Sequence, residues 1–239
     1  MPMHQGELLY RGKAKLVYRT ADPDLLIQHF TDEATAFNAQ KRGTILNKGV
    51  VSNRISEVLF KLLEAHHVPT HFVRRLSERD MLVRACEIVR IEVVIRNLTA
   101  GSLAARFGRP EGEVLSEPVV EHYLKDDALG DPLINDWHIR MLRLCTAHEL
   151  AQINQRALEV NAILREYLAA RDLVLVDFKL EFGRHHGALL VADEIGPDTC
   201  RLWDKASGYR LDKDRFRRDL GGVEDAYQEA ARRICGIAA

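Results

Sequence analysis

The chain has 239 residues, of which 46% are hydrophobic and 29% are charged, a balance typical of one large globular domain or two closely packed lobes. Its formal net charge of -1 argues against a general nucleic-acid binder or an anionic-membrane binder, because both normally carry a basic excess. The N-terminal segment MPMHQGELLYRGKAK lacks an apolar signal core, and no run approaches the roughly 18 apolar residues of a membrane span. The four cysteines form neither a C-x-x-C pair nor a disulfide framework, so a cytoplasmic location is expected.

The first part of the chain predicts short strands followed by a helix. The segments LLYRGKAKLVYRT and LLIQHFT are typical of strands, and RGKAK suits the turn of a strand–turn–strand element. Apolar residues then recur at helical spacing over residues 50–65, with Ser52 or Asn53 as the expected N-cap. The dipeptide Val68-Pro69 should end this helix, and the strand-like segments THFVRRL, DMLVRACEIV and IEVVIRN follow.

The middle of the chain predicts long loops and then a long helix. Residues 100–137 are rich in Gly, Pro and Asp, and loops of this length in a compact domain are often functional. Residues 139–170 predict one amphipathic helix. Its expected buried stripe consists of Leu150, Ile153, Leu164 and Leu168.

The C-terminal part predicts a β-hairpin and a last helix. The hairpin joins LVLVDFKLEFG to LLVADEIG through RHHGA, and the helix is expected over about 213–235 with Asp212 as its cap. This order of elements predicts an α+β fold. We expect an N-terminal sheet lobe over residues 1–87 and a C-terminal mixed lobe over residues 88–239.

Three ionisable side chains share one face of the predicted strand LVLVDFKLEFG. Because side chains alternate between the faces of a strand, Asp177, Lys179 and Glu181 lie together, opposite a Phe/Leu/Phe face that can seal a core. A hairpin centred near Gly187 would set Glu181 opposite Asp193, and two opposed carboxylates repel unless a cation lies between them. Mg²⁺ bound by these carboxylates and by nucleotide phosphates fits the pattern. A solvated hairpin face, with Lys179 neutralising a neighbour, is the alternative.

The turn YRGKAK carries a second candidate cluster. Gly12 allows close approach of the backbone, and the alternating Lys13 and Lys15 would neutralise phosphate groups lying beneath the hairpin. The segment is not a Walker A loop, and a solvated basic turn is the commoner meaning of such a pattern. By itself this cluster is therefore weak evidence for a phosphate site.

A third cluster lies in IEVVIRNLTAGS. The strand delivers Arg96, and Ser102 follows in a Gly-Ser turn, which together suit a phosphate-monoester pocket. Glu92 lies on the same strand face as Arg96, but about 13 Å separates their backbone positions. A shared ligand-lined face is therefore favoured over the alternative, a buried Glu92–Arg96 pair.

Several of these segments together resemble one known family. In chain order, LYRGKAKLVY, IEVVIRNLTAGS, LVDFKLEFG, ADEIGPDTCRLWD and LDKDRFRRDLGG are similar to the SAICAR synthetase (phosphoribosylaminoimidazole-succinocarboxamide synthase) family. The resemblance covers nearly the whole chain, and the patterns E-x-V-V-x-R-x-x-x-A-G-S and L-V-D-F-K-x-E-F-G are highly specific to the family. It implies an ATP-dependent ligase of de novo purine synthesis, with Mg²⁺, that joins the carboxylate of carboxyaminoimidazole ribotide (CAIR) to the amine of L-aspartate. It also implies a kinase-like N-terminal lobe, ATP in the cleft between the lobes, and a homo-oligomer, most often a dimer.

The resemblance implies a role for each matching position. Catalytic roles fall to Lys179, near the transferring phosphoryl group, and to Asp131, in the CAIR site. The residues implied for ATP binding are Lys13, Lys15, Val83, Cys86, Ile88, Glu181 and Asp193, and the two acids among them would also bind Mg²⁺. The residues implied for binding the ribotide substrate are Glu92, Arg96, Ser102, Lys125 and Arg201.

Three positions depart from the family pattern. Asn38 replaces a carboxylate, Arg90 replaces a proline, and Trp137 replaces an acidic residue. These departures concern the amine-donor side of the site, which the motifs mark least. They leave open a paralogous ligase that uses another amine donor. A small-molecule kinase is a second alternative, because a fold alone does not decide function. A non-catalytic nucleotide-binding protein is a third, disfavoured because the lysines, carboxylates and arginines all remain together. The absence of an H-R-D motif from the sequence argues against a protein kinase.

Overall fold

The computed structural model describes residues 5–36 and 40–236, and it confirms the α+β class with two main antiparallel sheets. The strands are β1 (Leu8–Arg11), β2 (Lys15–Arg19), β3 (Leu25–Phe30), β4 (Glu33–Ala36), β5 (Lys41–Thr44), β6 (Phe72–Arg75), β7 (Asp80–Arg84), β8 (Glu87–Leu98), β9 (Val114–Leu124), β10 (Leu133–Ile134), β11 (Leu173–His185), β12 (Ala188–Ala192) and β13 (Cys200–Asp204). The helices are α1 (Lys48–Ala65), α2 (Gly101–Phe107), α3 (Asp136–Met141), α4 (Ala147–Ala169), α5 (Asp214–Arg217) and α6 (Val223–Cys235).

The two sheets divide the chain at a short connection. The first sheet has the order β1-β2-β3-β7-β6, and the second has the order β10-β9-β8-β11-β12 with β13 also paired to β11. The chain leaves β7 at Arg84 and enters β8 at Glu87, so the change of sheet lies close to the expected boundary between the lobes. Buried apolar residues of α1, α4, α6 and both sheets nevertheless form one continuous core. The division into two lobes stays a prediction.

The N-terminal hairpin around RGKAK is confirmed, but the predicted N-cap of the first helix is wrong. Helix α1 begins after Asn47, which has a φ of 61°, a left-handed conformation that Asn tolerates better than most residues. Ser52 and Asn53 are buried inside the helix. The Asn53 amide donates to carbonyl oxygens of Ser77 and Glu78, so it ties α1 to the turn before β7 instead of capping the helix.

Residues 100–137 are more regular than predicted, since they contain α2 and the 11-residue strand β9. Pro118 hides this strand in the sequence, because proline cannot donate to a central ladder. The structure accommodates it at an irregularity of the sheet: the register of β9 against β8 shifts between the pair Arg96–Val119 and the pair Leu98–Val114, and Pro118 lies within this shift.

The long central helix predicted over 139–170 is instead two helices, α3 and α4. Thr146 caps α4: its Oγ1 accepts the backbone N–H of Glu149, and the Glu149 carboxylate accepts the backbone N–H of Thr146. This reciprocal capping box starts a new helix where the apolar periodicity alone predicts continuity. The predicted buried stripe of α4 is confirmed at all four positions.

The last helix also begins later than predicted. Gly221 and Gly222, both with positive φ, separate the short α5 from α6, which covers the second half of the predicted range. Asp212 does accept the backbone N–H of Asp214 in α5, but its other oxygen accepts the N–H of Leu202. It therefore joins α5 to β13 and does not cap one long helix. Among the described residues, no helix is both long and apolar enough to cross a bilayer.

Candidate active site

A cavity of about 600 Å³ is lined by residues of both sheets and of the loops that follow β9 and β12. Every position for which the resemblance implies a role lines this cavity. These positions are Lys13, Lys15, Val83, Cys86, Ile88, Glu92, Arg96, Ser102, Lys125, Asp131, Lys179, Glu181, Asp193 and Arg201. Residues distant in sequence therefore meet at one site, and four of the ten charged ones, Glu92, Arg96, Lys179 and Glu181, lie side by side on the long central strands β8 and β11.

Lys179 on β11 lies among three carboxylates. Its Nζ donates to Glu92 Oε1 at 2.8 Å and to Glu181 Oε1 at 2.9 Å, and lies 4.0 Å from Asp193 Oδ2. Burial opposes the charged form, but attraction by Glu181, Asp193 and Glu92 raises the pKa of Lys179 well above its ordinary value. Lys179 is therefore a charged ammonium group at neutral pH, at the centre of the site.

The predicted pairing of Glu181 with Asp193 is wrong by one residue. The hairpin turn consists of His186 and Gly187, both with positive φ, so Glu181 lies opposite Ala192. Asp193 follows the end of β12 with a φ of 66°, and this turn brings its carboxylate close to Lys179. The acid that lies opposite Glu181 in the sheet is Glu92 on β8.

Lys15 makes a second ion pair with the same acidic group. Its Nζ hydrogen-bonds Asp193 Oδ1 and lies 3.4 Å from Glu194 Oε2. Burial opposes both charges, but Asp193 and Glu194 together raise the pKa of Lys15, and Lys15 and Lys179 lower the pKa of Asp193. Glu194, which we did not predict as a site residue, is adjacent to Asp193 in the ADEIG segment, and burial raises its pKa.

Lys13 connects the two sides of the cavity. From the turn between β1 and β2, its Nζ reaches Asp127 Oδ1 at 2.7 Å and Asp131 Oδ2 at 3.5 Å in the loop after β9. Asp131 has a second contact, since its Oδ1 accepts the backbone N–H of Asp126 and holds this loop in shape. Lys125, at the start of the loop, donates to Glu181 Oε1 at 2.8 Å.

Arg96 on β8 is buried, and each of its three side-chain nitrogens donates at least one hydrogen bond. Its guanidinium donates to Glu121 at 2.7 Å, to Asp177 at 2.8 Å and to Ser102 Oγ at 2.9 Å. It therefore pairs with acids on the neighbouring strands and not with Glu92, which excludes the buried Glu92–Arg96 pair; the ligand-lined face stays a prediction.

Arg201 on β13 shares Asp177 with Arg96. It donates to Asp177 at 2.8 Å and to Asp214 at 2.8 Å. A Cβ atom at Gly101, whose φ is 52°, would lie 2.4 Å from the Arg201 guanidinium, so only glycine fits there. Strand alternation revealed Asp177 in the sequence, whereas nothing in the sequence pattern singled out Asp214 or Glu121.

One wall of the cavity is apolar. Val83 of β7 lies opposite Leu26 of β3, and the two line the cavity with Cys86, Ile88 and Phe178. Burial raises the pKa of the Cys86 thiol to about 11, so this group is neutral. A flat, uncharged ring fits this wall better than a phosphate does.

Glu181 and Asp193 have the donor chemistry that Mg²⁺ requires. Both hydrogen bonds that Glu181 accepts within residues 5–36 and 40–236 go to Oε1, so its Oε2 remains available. Asp193 offers Oδ2, 4.0 Å from Lys179. Over the same residues no three His, Cys, Asp or Glu side chains form a metal-binding cluster.

The departures from the family pattern lie away from the cavity where the structure describes them. Arg90 pairs with Asp126 at 3.0 Å, and Trp137 is 74% exposed on α3 beneath the guanidinium of Arg140. Neither Arg90 nor Trp137 lines the cavity. Asn38 lies outside the described residues.

Comparison with known proteins agrees with the site. The SAICAR synthetase family model matches residues 8–234. A phosphoribosylaminoimidazole-succinocarboxamide synthase of Chlorobium limicola is 56% identical over 232 residues, covering 97% of this chain and 98% of the relative. The solved synthase of the same name from Ehrlichia chaffeensis has a TM-score of 0.95 at 44% identity, covering 98% of this chain and 100% of that chain. A SAICAR synthetase solved in complex with ADP has a TM-score of 0.94 at 44% identity, covering 98% of this chain and 99% of that chain. The chain therefore belongs to the SAICAR synthetase family.

Proposed function

We propose that the cavity binds ATP, CAIR and L-aspartate together and joins the last two through an acyl phosphate of CAIR. Membership of the SAICAR synthetase family makes the chain an ATP-dependent enzyme of purine biosynthesis, and a relative of the same fold was solved with ADP. The observation that carries the proposal is the meeting of Lys13, Lys15, Lys125 and Lys179 with acids in a single cavity. Such a set of fixed charges suits the transfer of a phosphoryl group between two anionic substrates.

The chemistry explains why lysines dominate the site. A carboxylate resists attack by an amine because it is negatively charged and has no leaving group. Transfer of the γ-phosphoryl group to CAIR supplies the leaving group, and this step needs positive charge and alignment rather than a protein nucleophile. Lys15 and Lys179, whose pKa values are raised, stay charged at neutral pH and can meet that need.

Glu181 and Asp193 would hold Mg²⁺ beside the phosphates. When bound, the ion supplies positive charge that neutralises phosphate oxygens and orients them. Lys125 and Lys179 already neutralise Glu181 in the absence of ligand, which makes the burial of this acid tolerable. The same lysines lie close enough to bind phosphate oxygens that enter next to the two acids.

The ribotide phosphate fits the opposite end of the cavity. Arg96, Arg201 and Ser102 supply guanidinium and hydroxyl donors, and guanidinium groups bind phosphate oxygens in pairs. Asp177 holds both guanidinium groups in place before ligand arrives, so little conformational entropy remains to be lost on binding. Glu92, which is bonded to Lys179, lies between this end and the ATP end.

A coupled assay of ADP release tests the proposal. We expect release to require CAIR, L-aspartate and Mg²⁺ together, since each is a participant in one reaction. ADP formed equally well without an amine would contradict the ligase and favour the small-molecule kinase. Faster release with another amino acid would identify the paralogous ligase instead, and ADP binding without turnover would identify a nucleotide-binding protein.

A further inference from the structure

Gln28 is a polar exception in the apolar wall of the cavity. It lies in the middle of β3, directly opposite Val17 of β2 and Met81 of β7, and residues opposed in this way share a sheet face. The same face presents Val17, Leu26 and Val83 to the cavity. The Gln28 carboxamide therefore lies on the surface that suits a flat ring.

Gln28 is only 7% exposed, and its Oε1 is buried with no hydrogen-bond partner among residues 5–36 and 40–236. A buried polar atom left unpaired costs about 1–3 kcal/mol, so an apolar side chain would make the folded protein more stable. This loss of stability remains unless a ligand in the cavity supplies the missing hydrogen-bond partner.

We propose that the Gln28 carboxamide recognises the 6-amino edge of the nucleotide's purine ring and makes the cavity prefer adenine to 6-oxopurine nucleotides. This inference rests on the proposed ATP site. A carboxamide carries one acceptor and two donors, so it can accept from the 6-amino group and donate to N7 of the same ring. A 6-oxopurine presents acceptors at both positions, so one of the two hydrogen bonds is lost.

The surroundings of Gln28 leave this edge of the ring free. The backbone linking β7 to β8 borders the cavity at Cys86, beside Val83 and Ile88, and can engage the opposite edge of a purine. The carboxamide itself turns about its terminal torsion, which has a broad two-fold preference, so either end of it can face the ring. No charged group is needed for this recognition, which suits the neutral wall.

The test compares ADP with IDP, the matching 6-oxo nucleotide, by calorimetric titration with Mg²⁺ and without CAIR or aspartate. The wild-type protein should bind ADP at least tenfold more tightly than IDP. Gln28→Leu should bind ADP at least tenfold more weakly, lose most of this preference, and melt at the same temperature or higher. If Gln28 serves ligand recognition, the melting temperature of Gln28→Leu should stay the same or rise. If Gln28 has a structural role instead, the melting temperature of the variant should fall.

Ser52→Ala is the matched control. Ser52 is 2% exposed and its Oγ also has no partner in the described part of the chain, but it lies in α1 and does not line the cavity. The Ser52→Ala variant should leave ADP affinity and base preference unchanged.

Two results would overturn the inference. One is a Gln28→Leu variant with wild-type ADP affinity and base preference. The other is a Gln28→Leu variant with a lower melting temperature and an unchanged base preference. If the wild-type protein itself does not bind ADP, the proposed ATP site fails, and this inference fails with it.

Discussion

The carboxylate of Asp177 accepts hydrogen bonds from the guanidinium groups of both Arg96 and Arg201. Arg201 donates to both of its oxygens, at 3.0 Å and 2.8 Å, while Arg96 donates to one of them. All three side chains are largely buried, so each charge depends on the others for its solvation. Shape as well as charge matters here, because only a planar fork can contact Asp177, Asp214 and a ligand at once.

Arg201→Lys should therefore impair ribotide binding although it keeps the charge. A single ammonium cannot replace the two directed contacts, so we expect KM for CAIR to rise at least tenfold, about 1.4 kcal/mol, with KM for ATP within twofold. Initial rates at varied CAIR and ATP measure both constants. Arg11→Lys is the control, because the Arg11 side chain is 60% exposed and its distance of 3.7 Å from Glu33 is too long for a hydrogen bond. An unchanged KM for CAIR would remove Arg201 from the proposed ribotide site.

The first turn of α4 contains a carboxylate that makes the stability of this helix depend on pH. The Glu149 carboxylate accepts from Arg184 Nε of β11 at 2.6 Å and from the backbone N–H of Thr146 at 2.9 Å. These two bonds, the first being the stronger influence, lower the pKa of Glu149 to about 2. Because the pKa is lower in the folded state, this stabilisation is fully present above pH 4.5 and is lost as the pH falls towards 2.

Glu149→Gln should lower the free energy of unfolding by about 1–2 kcal/mol at pH 7, because the ion pair with Arg184 is lost and the single amide oxygen can keep only one of the two hydrogen bonds. The difference in the free energy of unfolding between the variant and the wild type should narrow as the pH falls from 4.5 to 3. Protonation of the unfolded chain then reduces the stabilisation that the Glu149 carboxylate gives the wild type. Urea unfolding at several pH values measures this. Glu159→Gln, at a 44% exposed position of the same helix, should change little. A difference that does not depend on pH would contradict the role given to the charge.

Elements were predicted well where one periodicity dominates and poorly where capping or turn geometry decides. Alternation alone placed Asp177, Lys179 and Glu181 on one face of β11, and the structure lines the cavity with all three. The register of the hairpin was wrong because a two-residue turn at His186 and Gly187 shifts the pairing by one position. The place of Glu121 beside Arg96 could not be predicted from the sequence, because Glu121 lies in a strand that contains a proline and the order of the strands in the sheet was not known.

At the scale of the whole molecule, ion pairs join the N-terminal sheet to the rest of the chain across the cavity. Lys13 reaches Asp127 and Asp131, and Lys15 reaches Asp193, so both lysines of the first hairpin are neutralised from the other side. A bound nucleotide would replace some of these partners with phosphate oxygens. Binding should then act on the stability of the whole fold, because the two sheets also share one core.

Mg²⁺ and ADP together should therefore raise the melting temperature more than ADP alone. A ligand at a hundred times its Kd adds about 2.7 kcal/mol of stability, which corresponds to about 5–11 °C for a chain of this size.

In Glu181→Gln the additional shift due to Mg²⁺ should disappear, because the variant lacks one anionic ligand. ADP alone should still stabilise this variant through Lys13 and Lys15. Comparing shifts within each variant removes the effect of losing the contacts of Glu181 with Lys125 and Lys179. Glu7→Gln, at an 81% exposed position, should keep the full shift. An equal Mg²⁺ shift in Glu181→Gln and the wild type would mean that the ion binds elsewhere, and it would contradict the metal-binding role proposed for Glu181.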